Sequence, residues 1–175
     1  MPFVPIDKDK CFYLIDYGAN LNADGEDLYK FALMANLYMK ENNKISNPLI
    51  GIFNIGIEQH KDFSLHKKAN GILLANKNLN YVGYILPKNF FNDSIDILLT
   101  VAKLWNILIL LSSKKIKKYF DYHSKAAAIV FVVNGVIIKE HGSSDEVQFY
   151  FTLVKANKCL KNGIINKLNN RNYDV

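Results

Sequence analysis

The feature that most constrains this fold is a junction, found three times, in which an apolar strand runs into a turn of small and polar residues. The junctions read Phe12-Tyr-Leu-Ile-Asp16-Tyr-Gly18-Ala-Asn20, Ile50-Gly-Ile-Phe-Asn54-Ile-Gly56 and Val136-Ile-Ile-Lys-Glu-His141-Gly142-Ser143-Ser144. Glycine permits tight turns, and the free N–H groups that open a following helix attract anions. Several such junctions are typical of α/β sheets that bind phosphate-bearing ligands at their strand ends.

The hydrophobic pattern around these junctions predicts the order β-α-β-α-β-β-α within one α/β domain. Apolar runs predict strands at residues 12–16, 49–54, 81–85 and 95–101. A β-branched run at 129–139 is interrupted by Asn134-Gly135, which is compatible with either a hairpin turn or a bulge. Helical spacing predicts helices at 26–40 and 64–76.

A last helix is predicted to begin at Ser143, because Ser143 and Glu146 form a capping-box pattern. Its apolar residues Val147, Tyr150, Phe151 and Val154 recur at helical spacing and give it one apolar face. The chain becomes polar and Asn-rich after this helix. We therefore expect a single domain over residues 1–175, with a frayed tail at 161–175.

The charge and the cysteines of the chain argue against several classes of function. The net charge is +6, but Arg171 is the only arginine, which argues against specific nucleic-acid recognition by bidentate contacts. Cys11 and Cys159 have no zinc-ligand spacing, and the N-terminus lacks the pattern of a signal peptide. These features predict a cytoplasmic protein without nucleic-acid partners and without a structural metal.

The apolar stretch at residues 95–111 is too short for a membrane span and contains Asp96, Lys103 and Asn106. A buried strand followed by a core helix or a second strand is the favoured interpretation. The basic run Lys114–Lys118 is compatible with contact to an anionic membrane surface, although a solvated helix face explains it more simply.

The turn residues themselves offer candidate chemistry, since GxxxxGK[ST], GxGxxG, GxSxG and HExxH motifs are all absent. His141 could bind an anion or donate a proton, or could be an ordinary loop residue beside a capping Ser143. Asn20 could bind a ligand or only its own turn. Asn54 adds an amide, and Lys61 adds a cation of a type that usually lies on the surface.

Five blocks taken in order carry a resemblance: IDYGAN, GEDLYKFALMANLYMKE, NPLIGIFNIGIEQHK, NLNYVGYI and NGVIIKEHGSSDE. They resemble the second half of the PlsX-type phosphate acyltransferases, over roughly residues 8 to 165. Members of that family are bacterial enzymes of phospholipid synthesis that transfer a fatty acyl group from acyl carrier protein to inorganic phosphate. Their acyl phosphate product then serves a glycerol-3-phosphate acyltransferase.

This resemblance implies a three-layer α/β/α sandwich of the phosphotransacetylase and isocitrate dehydrogenase type, of which the chain holds about half. It also implies a homodimer in the cytoplasm, peripheral to the inner face of the membrane, that needs no cofactor. Lys61 and His141 would be catalytic. Phosphate and substrate would be bound by residues carried over from four turns, namely Asp16, Gly18, Asn20, Asn54, Gly56, Asn106, Gly142, Ser143 and Ser144.

The chain also departs from the family pattern. Tyr17 stands where the DVGAN turn has a small apolar residue, and only Asn106 survives from the DGFxGN block, where Trp105 replaces a glycine. Two hypotheses follow. The chain is a phosphate acyltransferase, completed by a partner that carries the family's N-terminal half, or it is a truncated, catalytically impaired remnant that binds at most phosphate or a partner. A structural or membrane-surface protein is a third, weaker alternative.

Overall fold

The structure is a computed structural model that describes residues 3–7, 10–15, 23–54, 64–87, 95–100, 128–130, 135–139 and 145–170. The strands in these residues are β1 (Phe3–Asp7), β2 (Lys10–Ile15), β3 (Leu49–Phe53), β4 (Asn80–Ile85), β5 (Ile97–Leu99), β6 (Ala128–Val130) and β7 (Ile137–Lys139). The helices are α1 (Gly25–Tyr38), α2 (Ser64–Ala75), α3 (Glu146–Lys161) and α4 (Ile164–Asn169), and α1 continues into a π-helical turn at Met39–Asn43.

Five strands form one sheet in the order β1-β2-β5-β3-β4. Strands β2, β5, β3 and β4 run parallel, and β1 pairs antiparallel with β2 at one edge. The predicted α/β class is therefore confirmed, and the strands predicted at residues 12–16, 49–54, 81–85 and 95–101 correspond to β2, β3, β4 and β5. Strand β1 was not predicted; it contains Pro5, which lacks an N–H group and is tolerated in a strand at the edge of a sheet.

The chain passes from β2 through α1 to β3 and from β3 through α2 to β4, and β5 then enters the sheet between β2 and β3. The two connecting helices pack against each other. Helix α1 begins as predicted, because the Asp24 carboxylate accepts hydrogen bonds from the backbone N–H groups of Glu26 and Asp27 at 2.8 and 2.9 Å. The Asp24 N–H donates in turn to the Asp27 carboxylate at 3.1 Å, which completes a capping box.

The N-terminal turn of α1 approaches α2 very closely at Gly25. A Cβ atom at Gly25 would lie 2.8 Å from the carbonyl oxygen of Leu65 and 2.9 Å from the backbone nitrogen of Ala69. Beside this contact the Lys68 ammonium pairs with the Glu26 carboxylate at 2.6 Å, and this hydrogen bond raises the pKa of Lys68. Only glycine therefore fits the closest point between the two helices.

Both faces of the sheet are buried. Alternate strand residues, including Ile15, Ile52 and Leu99, pack with Leu28 and Ala35 of α1 in the main core. The residues between them point to the opposite face, since neighbouring side chains in a strand alternate. Three of these, Leu14, Phe53 and Leu98, have no exposed surface. A sheet covered on both faces agrees with the predicted α/β/α sandwich.

Strands β6 and β7 form a separate antiparallel pair in which Val130 lies opposite Ile137. The chain reverses between these two residues, an interval that contains Asn134-Gly135; Asn134 itself lies outside the described residues. The pair contributes Ile129 to the core, with only 5% of that residue exposed. The interrupted run at 129–139 is thus two short strands paired antiparallel, which agrees with the hairpin rather than the bulge.

Two expectations for the C-terminal part are corrected. Helix α3 begins at Glu146 rather than at Ser143, because Asp145 is the capping residue: its carboxylate accepts the Gln148 N–H at 2.8 Å and its own N–H donates to the Gln148 side chain at 3.0 Å. The predicted apolar face of α3 is solvent-exposed. The chain beyond Lys161 also does not fray at once, since α4 follows and buries Ile164 and Leu168.

Candidate functional site

The candidate site lies at the carboxyl ends of the parallel strands, the edge at which open α/β sheets bind their ligands. Ile15, Leu99 and Ile52 stand in register across β2, β5 and β3, so these strands end at nearly the same level. The first residues beyond β3 and β5 are Asn54 and Thr100. An amide and a hydroxyl therefore follow two adjacent strands at one edge.

Backbone hydrogen bonds fix both residues. The Asn54 N–H donates to the carbonyl of Ile85 at 3.0 Å, and the Thr100 N–H donates to the carbonyl of Ile15 at 3.3 Å. Neither Asn54 nor Thr100 has any exposed surface. Buried polar side chains at a strand end are typical of positions that orient a ligand or the turns around it.

Asn54 is the only predicted site residue among those that the structure describes. Asp16 directly follows β2 in the sequence, and β2 is the neighbour of β5, the strand that Thr100 follows. The other predicted residues lie outside the described ranges, namely Gly18, Asn20, Gly56, Lys61, Asn106, His141, Gly142, Ser143 and Ser144, together with Asp16 itself. Their roles stay predictions.

Two flanking elements agree with the predicted HGSS turn. Strand β7 ends at Lys139 before this sequence and helix α3 begins at Glu146 after it, and residues 141–144 themselves lie outside the described residues. The pairing partner of β7 is β6 rather than the parallel sheet. The described residues do not place this turn beside Asn54.

Thr100 was not singled out from the sequence. It ends the apolar run Ile95–Leu99 and was included within a predicted strand, where its hydroxyl carried no separate signal. Its importance depends on the sheet order, because β5 lies between β2 and β3 although it follows β4 along the chain. A polar residue that ends a central strand is recognised only when that order is known.

Cys159 lacks the properties of a nucleophile. It is buried in the contact between α3 and the π-helical turn, where the Asn42 side-chain amide donates to its sulfur at 3.4 Å. Burial raises the pKa of the Cys159 thiol, which keeps it protonated and unreactive near neutral pH. The described residues also contain no group of three His, Cys, Asp or Glu side chains that could hold a metal ion.

A comparison with family profiles matches residues 1–102, which contain the DYGAN and NIG turns, to the fatty acid synthesis proteins. This chain belongs to the fatty acid synthesis protein family. The matched range ends before His141, so the HGSS turn lies outside it. In the described parts of the chain, no helix is long and apolar enough to cross a membrane.

Curated relatives carry the name phosphate acyltransferase. The relative from Ureaplasma parvum is 35% identical over 198 residues, covering 96% of this chain and 59% of the relative. The relative from Mycoplasma genitalium is 34% identical over 204 residues, covering 99% and 62%. The relative from Macrococcus caseolyticus is 30% identical over 196 residues, covering 94% and 60%.

The alignments also show how the length of this chain compares with that of its relatives. The chain spans about three-fifths of the length of the curated relatives that it matches. The alignment to the Ureaplasma parvum relative is also longer than this 175-residue chain, so the relative has residues within the aligned region that this chain lacks.

Proposed function

We propose that this chain carries the phosphate-handling part of a phosphate acyltransferase, which forms acyl phosphate from acyl-(acyl carrier protein) and inorganic phosphate. The observation that carries the proposal is the pair of buried polar residues, Asn54 and Thr100, at the carboxyl edge of the parallel sheet. Asp16 follows the neighbouring strand, and all three belong to the range matched by the fatty acid synthesis family.

The proposed reaction is a direct acyl transfer. A phosphate oxygen attacks the thioester carbonyl carbon and forms a C–O bond, and the C–S bond then breaks so that the carrier thiol leaves with a proton. Catalysis requires that phosphate be held against the thioester and that the tetrahedral oxyanion be stabilised. The backbone N–H groups at Gly18, Gly56 and Gly142 can supply both functions without a metal.

The side chains have distinct proposed roles. Lys61 holds the phosphate and balances its charge, and His141 donates the proton to the leaving thiolate. Asn54 positions the phosphate from the strand end, together with Asn20. Asp16, Asn106, Ser143 and Ser144 complete the set of phosphate and substrate contacts.

The partners and location follow from the same proposal. Acyl carrier protein delivers the acyl group, and a glycerol-3-phosphate acyltransferase consumes the acyl phosphate. The protein acts in the cytoplasm as a homodimer, at the inner face of the membrane. The basic run Lys114–Lys118 is the candidate membrane contact.

A second candidate is a catalytically impaired family member that only binds phosphate or a partner. The observation that favours it is the sequence of the block aligned with DGFxGN, where Trp105 occupies a glycine position and only Asn106 is retained. A bulky side chain there would obstruct a backbone cradle for phosphate.

One assay distinguishes the two candidates. The purified chain is incubated with acyl-(acyl carrier protein) and phosphate, and release of free carrier thiol is followed over time. The chain is assayed alone and after addition of the part of the Ureaplasma parvum relative that lies outside the alignment. Turnover that His141→Ala reduces by about 100-fold or more supports the enzyme. Absence of turnover under both conditions excludes the enzyme and leaves the binding module.

A matched pair of lysine variants tests phosphate binding by the enzyme. Lys61→Ala is expected to raise the KM for phosphate about tenfold or more, because it removes a charge-assisted contact. Lys67→Ala removes an exposed lysine from α2 and is expected to leave the KM unchanged. Equal effects of the two variants would contradict the proposed role of Lys61.

A further inference from the structure

Helix α3 faces the body of the protein with its more polar side. The residues that it turns inward are Gln148, Thr152, Lys155, Ala156 and Cys159. Its exposed side carries a contiguous group that we call the outer patch: Val147, Phe149, Tyr150, Phe151, Leu153 and Val154. These six residues are 46–63% exposed, which is the reverse of the usual amphipathic arrangement of a surface helix.

Specific polar contacts hold α3 and α4 in this orientation. The Asn162 side-chain amide donates to the Asn42 side chain at 2.5 Å and to the carbonyl of Glu41 at 3.2 Å. Lys167 pairs with the Glu41 carboxylate at 2.5 Å. Rotating α3 to bury the outer patch would separate Cys159 from Asn42 and disrupt these contacts, so the orientation is built into the fold.

The outer patch is large enough to be an interface. Each of its side chains exposes roughly 100 Å² on typical residue areas, so the patch amounts to roughly 600 Å². Soluble monomers rarely expose more contiguous apolar surface than this, and one partner in a standard interface buries about 800 Å². Tyr150 and Phe151 stand at its centre with their rings edge to face, 5.6 Å apart. Tyrosine is one of the residue types enriched among the few positions that carry most of the binding energy of an interface.

The lengths of the relatives indicate what covers the patch. About two-fifths of the length of these phosphate acyltransferases lies outside the aligned region. In a layered α/β domain, further elements bury their apolar faces against those already present. We propose that the outer patch is the docking surface for this remaining portion of the phosphate acyltransferase fold, on the same polypeptide or on another. The inference rests on the proposed function, because the outer patch would be the surface on which this chain and the remaining portion of the phosphate acyltransferase join.

The test uses the portion of the Ureaplasma parvum relative outside the aligned 59%, co-expressed with this chain. We expect a 1:1 complex by light scattering, with a Kd measurable by titration. The double variant Tyr150→Gln, Phe151→Gln should raise that Kd about 100-fold, as expected for the loss of two central aromatic residues. The single variant Val154→Asp should act in the same direction.

Leu74→Gln is the matched control, because Leu74 is 63% exposed on α2, away from the patch. It should leave the Kd unchanged. Circular dichroism spectra of all variants should match that of the unmodified chain, since each substitution replaces an exposed side chain.

Four results would overturn the inference: no complex, a complex unaffected by the patch variants, a homodimer of this chain that the patch variants dissociate, or patch-dependent sedimentation with phospholipid vesicles. The homodimer would assign the patch to a second copy, and the vesicle result would assign it to a membrane. The activity assay is scored separately. A patch-dependent complex that forms no acyl phosphate would disprove the proposed enzyme but not the docking surface. Turnover that the patch variants do not change would disprove the docking surface but not the enzyme.

Discussion

At the scale of single residues, Asn54 provides the most direct test of the candidate site. Asn54→Ala should weaken binding of inorganic phosphate by about 10–100-fold, because a hydrogen bond to a charged group contributes about 1.5–3 kcal/mol. Isothermal titration with phosphate measures the change. Asn78→Ala, in the exposed turn after α2, is the control and should bind phosphate like the unmodified chain. Equal binding by both variants would remove Asn54 from the site.

Cys159 predicts a pH dependence of stability. Burial raises the pKa of its thiol above the ordinary value of 9.0, so the folded state retains the thiol proton more strongly than the unfolded state. The stabilisation is therefore complete below about pH 9 and declines as the pH rises from there towards the folded pKa. Cys159→Ala should cost about 1 kcal/mol at pH 7.

The measurement is urea unfolding of both proteins at pH 7, 9 and 10. The difference in unfolding free energy between the unmodified chain and Cys159→Ala should shrink as the pH rises. A difference that stays constant or grows would show that the pKa of the thiol is not raised. Tyr38 is present in both proteins, so the desolvation that chiefly raises its pKa cancels in the comparison, whereas the smaller effect of the Cys159 charge on Tyr38 is part of the measured difference.

At the scale of secondary-structure elements, alanine substitutions at two glycines are expected to change the unfolding free energy in opposite directions. Gly25→Ala would bring a Cβ within 3 Å of the α2 backbone and should lower the unfolding free energy by about 1–3 kcal/mol. Gly71→Ala, on an exposed turn of α2 with no atom within 4 Å of its Cβ, should raise it by about 0.5–1 kcal/mol. Chemical denaturation measures both values. A stabilising Gly25→Ala would contradict the close approach of α1 and α2.

Secondary structure was largely predictable at this scale because local chemistry determines it. The apolar run before Asp16 is a local signal, and so is the pair of capping residues Asp24 and Asp27, which are three positions apart. The strand and the helix that these signals predict agree with the structure. The start of α3 was wrong by three residues, because Ser143 with Glu146 and Asp145 with Gln148 are competing capping pairs of similar strength.

The orientation of α3 could not be predicted from its periodicity. Periodicity shows that apolar residues share a face, but it does not show which way the face points. Here the direction is determined by Asn42 and Glu41, which are more than a hundred residues away and contact the C-terminal helices through Asn162 and Lys167. Long-range polar contacts of this kind leave no local signal in the sequence.

At the scale of the whole molecule, α4 ties the C-terminal region to the core. Replacing its buried residues Ile164 and Leu168 by serine should lower the unfolding free energy by about 3–5 kcal/mol, since both apolar contacts are lost. Leu160→Ser, one turn earlier but 62% exposed, should change it by less than about 0.5 kcal/mol. Thermal and urea unfolding give both values. Similar stabilities of the two variants would mean that the segment after Lys161 frays after all.

The candidate site was predictable only in part, because it depends on the strand order of the whole sheet. The DYGAN and NIG turns could be read from the sequence because each is local, and Asn54 lies at the strand end where the NIG turn places it. The neighbourhood of Asn54 and Thr100 depends instead on the strand order, which is a non-local property. The sequence therefore identified the turn that contains Asn54, and only the topology showed that Thr100 follows the neighbouring strand at the same edge.

The same strand order has a consequence for biosynthesis. The central strand β5 is the last of the five along the chain, and it is the only link between the β1-β2 pair and the β3-β4 pair. A nascent polypeptide that has not yet emerged from the ribosome past Leu99 therefore holds two unconnected strand pairs with their apolar inner edges open. Completion of the sheet must wait for that final insertion, so this interval is when the growing chain most needs protection by chaperones.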